Sequence, residues 1–293
     1  IEENDTGSIS DIDSALIVKE ISTGNVLLNL NDCIYNQPHV DTLNEIIKST
    51  GNRIDLLALG YTGAGPYPQT YISLEDEQEL LISESDKKKN AFFDRYKKYI
   101  KTFNATYHLP FAGEYILGGK LSFLNDYRGV ADAYEVKSID DRAIVLSNGG
   151  EIDLVNNAVK KERLSVFNAQ ELKKRISDVK DCLLDYEKEI FLPIDKINFM
   201  RLLNAASMKA IKKSEIDEEY HFIFSILDND DQVKLRFDIN TQDGAVRPMP
   251  LDAGVEYLEF SEIKIDYRYL YGLLTTVYHW NNAEVGSQFF TKR

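Results

Sequence analysis

Residues 26–60, "VLLNLNDCIYNQPHVDTLNEIIKSTGNRIDLLALG", constrain the fold more than any other stretch. Val26, Leu27, Leu28 and Leu30 form a short apolar run that stops at Asn31-Asp32-Cys33. A helix is predicted next: Pro38 suits its first turn, and Val40, Leu43, Ile46 and Ile47 fall on one face. Gly51 suits its stop. "RIDLLALG" then reads as a strand buried on both faces, because it is apolar without alternation. Strand, helix, strand at this spacing is a βαβ unit, and its crossover makes the two strands parallel.

The flanks extend the pattern. Residues 14–19, "SALIVK", and 26–30 read as two buried strands joined by the turn "STGN". The loop "YTGAGPYPQTY" lies at the carboxyl end of the "RIDLLALG" strand, where α/β folds place ligand-binding loops. "KKKNAFFDRYKKYIKTF" reads as a helix with Phe92, Tyr96, Ile100 and Phe103 on one stripe and a solvated basic face. "ATYHLPFAGEYILGG" is a strand running into a second glycine loop, and "AIVLSNGGEIDL" a hairpin turning at Asn148-Gly149-Gly150. Near residue 165 the character changes. "NAQELKKRISDVKDCLLDYEKEI" has the spacing of one long amphipathic helix, and "INFMRLLNAASMKAIKK" that of another. "YHFIFSIL" and "QVKLRFDI" form a hairpin, "VEYLEFSEIKID" a further strand, and "YRYLYGLLTTVYHW" an aromatic helix. The expected division is an αβ region over 1–160 and a smaller α+β domain over 161–293.

Parallel strands that end on one side would gather Asn31, Asp32, Thr62, His108 and Glu114 at one rim. A carboxylate and an imidazole together suit metal or acid/base chemistry. Each has a plainer reading. Asp32 would cap backbone amides, His108 would be a satisfied core histidine, and Glu114 a solvated strand-end charge. Thr62, Gly63 and Gly65 match no Walker or Rossmann pattern and make a shaped loop first, a ligand loop second. Trp280, beside His279, Asn281 and Asn282, reads as a docking anchor, with a stacking lid as the alternative. Cys33 reads as a small buried residue.

The net charge of −14 argues against nucleic-acid binding, which depends on Lys and Arg releasing counterions. It leaves room for an anionic small molecule in a locally basic or metal-containing pocket. No apolar run approaches the length of a membrane span and the opening "IEENDTGSIS" is no signal peptide, so the cytoplasm is the expected compartment.

"DSALIV", "VLLNLNDC", "IDLLALGYTGAGPYPQTY" and "HLPFAGEY", with the ending "YHWNNAEVGS", resemble the C-terminal portion of the metallo-β-lactamase-fold superfamily. The similar branch contains CMP-N-acetylneuraminate hydroxylase-like proteins and related metal-dependent hydrolases. The resemblance covers most of residues 10–130 and the last twenty or so. It implies the second half of an αββα sandwich with Asp32 as metal-bridging carboxylate and zinc as the metal (iron as the alternative), to which the rim reading adds His108 as the expected catalytic partner. The expected substrate is a small molecule, anionic or sugar-containing, and Thr62, Gly63 and Glu114 of the rim and Trp280 are the residues expected against it. The family's His-x-His-x-Asp-His signature is absent: the four histidines are His39, His108, His221 and His279. The expectation is therefore a hydrolase whose remaining ligands come from a preceding N-terminal half or a partner chain. The alternatives are a nucleotide-sugar hydroxylase-like oxidoreductase, which needs a Rieske centre from elsewhere, and a non-catalytic binding or scaffolding subunit.

Overall fold

A four-stranded sheet carries the βαβ pattern, in the order β1 (Leu16–Lys19), β2 (Val26–Asn29), β3 (Leu56–Gly60), β4 (Tyr107–Phe111). β1 is antiparallel to β2, while β2, β3 and β4 run parallel. Helix α1 (Gln37–Thr50) connects β2 to β3. The Asn36 side chain caps its start by accepting from the His39 N–H, and the Gly51 N–H closes its end on the Ile47 and Lys48 carbonyls. Helix α2 (Gln78–Thr102) connects β3 to β4. Both crossovers step the same way along the sheet, so right-handedness sends both helices to one face. Val40, Leu43 and Ile47 of α1 and Phe93, Tyr96, Tyr99 and Phe103 of α2 accordingly share one core with Leu57 and Leu59.

The computed structural model describes residues 14–30, 33–51, 53–111, 113–166, 169–189, 191–214 and 216–293. The chain forms two compact units. Unit 1 takes residues 1–64, 85–115 and 129–174, and unit 2 takes 65–84, 116–128 and 175–293. The exchanges thus interleave, whereas a single boundary near residue 160 was expected. Unit 1 also holds the hairpin β5 (Leu146–Asp153) and β6 (Ala158–Glu162). Helix α3 spans Ala169–Lys180.

Unit 2 is built on a five-stranded sheet. In chain order its elements are α4 (Asp185–Lys188), α5 (Phe199–Ser214), β7 (His221–Leu227), β8 (Val233–Asn240), β9 (Val246–Met249), β10 (Phe260–Asp266), α6 (Tyr267–Leu274), α7 (Trp280–Val285) and β11 (Phe289–Lys292). The sheet order is β11-β10-β7-β8-β9, with β10 parallel to β7 and the other pairs antiparallel. Phe199, Leu203, Leu270, Leu273 and Ala283 from the helices pack with Ile226, Phe237 and Ile265 in its core.

Four expectations change. β1 is an edge strand with Leu16 and Val18 exposed, not a buried one, since an apolar tetrapeptide looks the same in either place. The hairpin turns at residues 154–157, where the Asp153 carboxylate accepts from the Val155 and Asn156 N–H groups. Gly149, at φ 70°, sits instead in a register shift within β5. The helix over 168–190 stops at Lys180, and the Cys182 N–H turns back to the Val179 carbonyl. The terminal aromatic helix likewise ends at Leu274, and His279 caps a second short one. Among the described residues no helix is long and apolar enough to cross a membrane.

Candidate functional site

The parallel strands of unit 1 bring their carboxyl ends to one rim. Asn29 pairs with Ala58, Ala58 with Leu109, and Gly60 with Phe111. β3 therefore delivers Tyr61-Thr62-Gly63 beside the Gly113-Glu114 loop that follows β4. Their closeness is measurable at Gly113: a Cβ there would lie 2.9 Å from the Tyr61 Cζ and collide with the Thr62 methyl. Gly63 is equally confined, because a Cβ would sit 2.5 Å from the Phe92 ring. Both glycines are there for close approach. Asn31 and Asp32, which follow β2, and Ala112 lie outside the described residues.

Thr62 is 1% exposed, and its hydroxyl is buried with no hydrogen-bond partner among the described residues. Leaving such a group unsatisfied costs ~1–3 kcal/mol. Buried polar atoms in native proteins nearly always have a partner, so an orphan at a loop junction asks for one from a ligand or water. Tyr61 beside it is buried, and its phenol is pushed far above the usual range by burial, then by the charges of Glu114 and Asp132. It stays protonated at every ordinary pH and can donate. Asp132 is engaged by the Arg163 guanidinium through both nitrogens, Nη1 at 3.0 Å. It also caps the turn over Ala133–Ser138, where Glu135 completes a capping box. Glu114 itself is exposed.

His108 is not at this rim. It pairs with Leu57 on the core side of β4, three residues and ~10 Å before the strand ends. Its Nδ1 lies 2.7 Å from the Asp140 carboxylate, which also accepts from the Tyr96 hydroxyl at 3.0 Å and the Arg142 N–H at 3.1 Å. Burial alone would raise the Asp140 carboxyl, but the hydrogen bonds from His108, Tyr96 and the backbone outweigh it and hold it below the usual range. His108 Nε2 is buried without a partner among the described residues. The arrangement ties β4 to α2 and the 140 turn. Trp280 belongs to unit 2, half exposed at the first position of α7.

Among the described residues no group of three or more His, Cys, Asp or Glu could hold an ion. His39 is buried on α1, His221 is 2.8 Å from Asp238 and stacked on Tyr257, and His279 accepts the Asn281 N–H. The described residues alone do not fit a metal centre, since zinc sites use three or four protein ligands. Compared with protein-family models and with curated proteins, the chain matches none.

Sequence reasoning missed Tyr61, Asp132, Arg163 and Asp140. The Asp132-x-x-Glu135 spacing of a capping box was a usable signal. Arg163 lies 31 residues from Asp132 and gave none.

Proposed function

We propose that unit 1 is the second half of a metallo-β-lactamase-like αββα sandwich, and that its rim forms one wall of a metal-dependent hydrolase site. In this reading Asp32 contributes one ligand, and histidines from outside these 293 residues, in a preceding segment or a partner chain, supply the rest. The observation that carries it is the buried, unpartnered Thr62 hydroxyl where the loops after two adjacent parallel strands touch. Carboxyl-end rims of such strands are where α/β folds bind ligands. Tyr61 would donate to the substrate and Glu114 would sit at the mouth, while the tight Gly63 and Gly113 contacts hold the wall in shape. The test is hydrolysis of ester, amide and phosphodiester substrates by the purified protein together with any copurifying polypeptide. Chelator-sensitive activity that falls by ~10²-fold or more in Asp32→Ala supports the reading. Activity indifferent to both chelator and Asp32→Ala removes it.

A second reading is a non-catalytic binding or scaffolding subunit. It is favoured by the engagement of His108 with Asp140 before the end of β4, and of His221 and His279 in hydrogen bonds within unit 2. A stable complex with a partner protein that neither hydrolyses these substrates nor holds metal would select it.

A further inference from the structure

Unit 2 contains a cleft of about 770 Å³ that the proposed hydrolase reading does not use. Its volume falls within the ~300–1,000 Å³ of small-molecule pockets. One wall is the face of β10 and β11 that points away from the unit 2 core. Glu262 pairs with Lys292 and Lys264 with Phe290, so these four side chains share that face. Ile263, Ile265 and Phe289 take the opposite face into the core. The Phe290 ring runs parallel to that of Phe123, with centroids 6.5 Å apart and planes 10° apart. Phe123 is half exposed, although a ring of that size is normally covered. These two rings give the cleft an aromatic wall.

The charges of the cleft divide into committed and uncommitted groups. Glu262 lies 3.3 Å from Arg236 and accepts from Ser225. Asp76 accepts the Ser73 hydroxyl at 3.1 Å and Glu77 the Ser73 N–H at 3.5 Å. Both precede α2, whose N-terminal dipole favours anions. Among the described residues, Lys264 and Lys292 have no carboxylate partner, and Arg293 packs 5.4 Å from the Tyr71 ring. Ser73 is neutral and leaves the charges of Asp76 and Glu77 in place, so with Glu75 three acids of the 75–77 turn stand against these three cations, and among the described residues only Glu262 has a cation of its own. Gln69 also lines the cleft, with a buried Oε1 that has no donor among the described residues. Beyond ~8 Å at physiological salt the overall negative field is screened, so an anion's place in the cleft is set by Lys264 and Lys292, which share the β10–β11 face with Phe290.

We propose that this cleft binds a small organic anion, a phosphate or carboxylate carried on a flat ring, with the ring against Phe123 and Phe290 and the anion on Lys264 and Lys292. The test uses 1-naphthyl phosphate, inorganic phosphate and 1-naphthylmethylammonium, titrated into the full chain and followed by ligand-observed NMR. Naphthyl phosphate is expected to bind at least about tenfold more tightly than either of the others. Its affinity should fall about tenfold or more in the Lys264→Gln/Lys292→Gln double variant and in Phe123→Ala, and be retained in Lys264→Arg/Lys292→Arg. These side chains are exposed, and unchanged circular dichroism verifies that the fold is kept. Equal binding of the ammonium probe, no binding of naphthyl phosphate, or an affinity indifferent to the double Gln variant would each overturn the proposal. The site lies within unit 2, so these outcomes are independent of the hydrolase reading.

Discussion

Asp140→Asn is the substitution whose cost the structure lets one work out. Three donors converge on this carboxylate: His108 Nδ1 and the Tyr96 hydroxyl on one oxygen, and the Arg142 N–H on the other. Asparagine has one acceptor oxygen. If it faces His108 and Tyr96, its NH₂ is turned onto the Arg142 N–H, donor against donor. At best two bonds survive of three, and both lose their charge assistance. Charge-assisted bonds are worth ~1.5–3 kcal/mol against ~1 for neutral ones, and the stranded donor adds ~1–3, so unit 1 should lose about 3 kcal/mol. The pH dependence has a definite sign. The Asp140 carboxyl is held below its ordinary 3.8 in the folded chain, so its contribution is present above that value and disappears as pH falls through the lower folded value. The gap between wild type and Asp140→Asn should therefore be widest near neutrality and close in acid. Trp280, the one tryptophan, belongs to unit 2 and cannot report this. Hydrogen exchange of peptides from β4 and α2 in graded urea can. A loss below ~1 kcal/mol, or a gap that does not change with pH, would refute the reasoning.

Thr62→Val replaces a hydroxyl without a partner by a methyl of the same shape. It should leave unit 1 unchanged or raise its stability by up to ~1 kcal/mol, read by the same exchange experiment; a clear loss would mean the hydroxyl is bonded within the chain. Arg236→Met tests unit 2. The guanidinium donates to the Ala253 carbonyl at 2.7 Å and to Ser225 at 3.2 Å and pairs with Glu262 at 3.3 Å. Losing it strands a half-buried carboxylate, which should cost ~3–5 kcal/mol in urea unfolding followed by Trp280 fluorescence.

The parallel βαβ frame was legible because its signals are local and redundant. Val40, Leu43 and Ile47 mark a helix face, Pro38 and Gly51 mark its ends, and "LLAL", short and apolar without alternation before a glycine-rich loop, fits a doubly covered strand. What failed was whatever depends on neighbours far along the chain. Leu16 and Val18 look apolar enough to bury, yet among the described residues nothing covers them on the edge strand. A glycine at positive φ serves a bulge as well as a turn, so Gly149 misdirected the hairpin. The periodicity of Leu172, Ile176, Val179 and Leu183 runs on past Lys180 although the backbone turns. Strand direction alone implies that the segments after β3 and β4 meet, and Gly113 does lie against Tyr61 and Thr62. The ties of His108 to Asp140 and of Arg163 to Asp132 join segments 32 and 31 residues apart, and no pattern within one element encodes them.

The central claim is that the rim of unit 1 is one wall of a metal site whose histidines lie outside these residues. Zinc and iron stoichiometry by elemental mass spectrometry tests it most directly, on the 293-residue chain alone and on material that also contains a His-x-His-x-Asp-His segment. The account predicts well under one equivalent of metal for the chain alone, at least one for the completed assembly, and its loss in Asp32→Asn. A full equivalent bound by the chain alone, or a completed assembly whose metal content ignores Asp32→Asn, would contradict it.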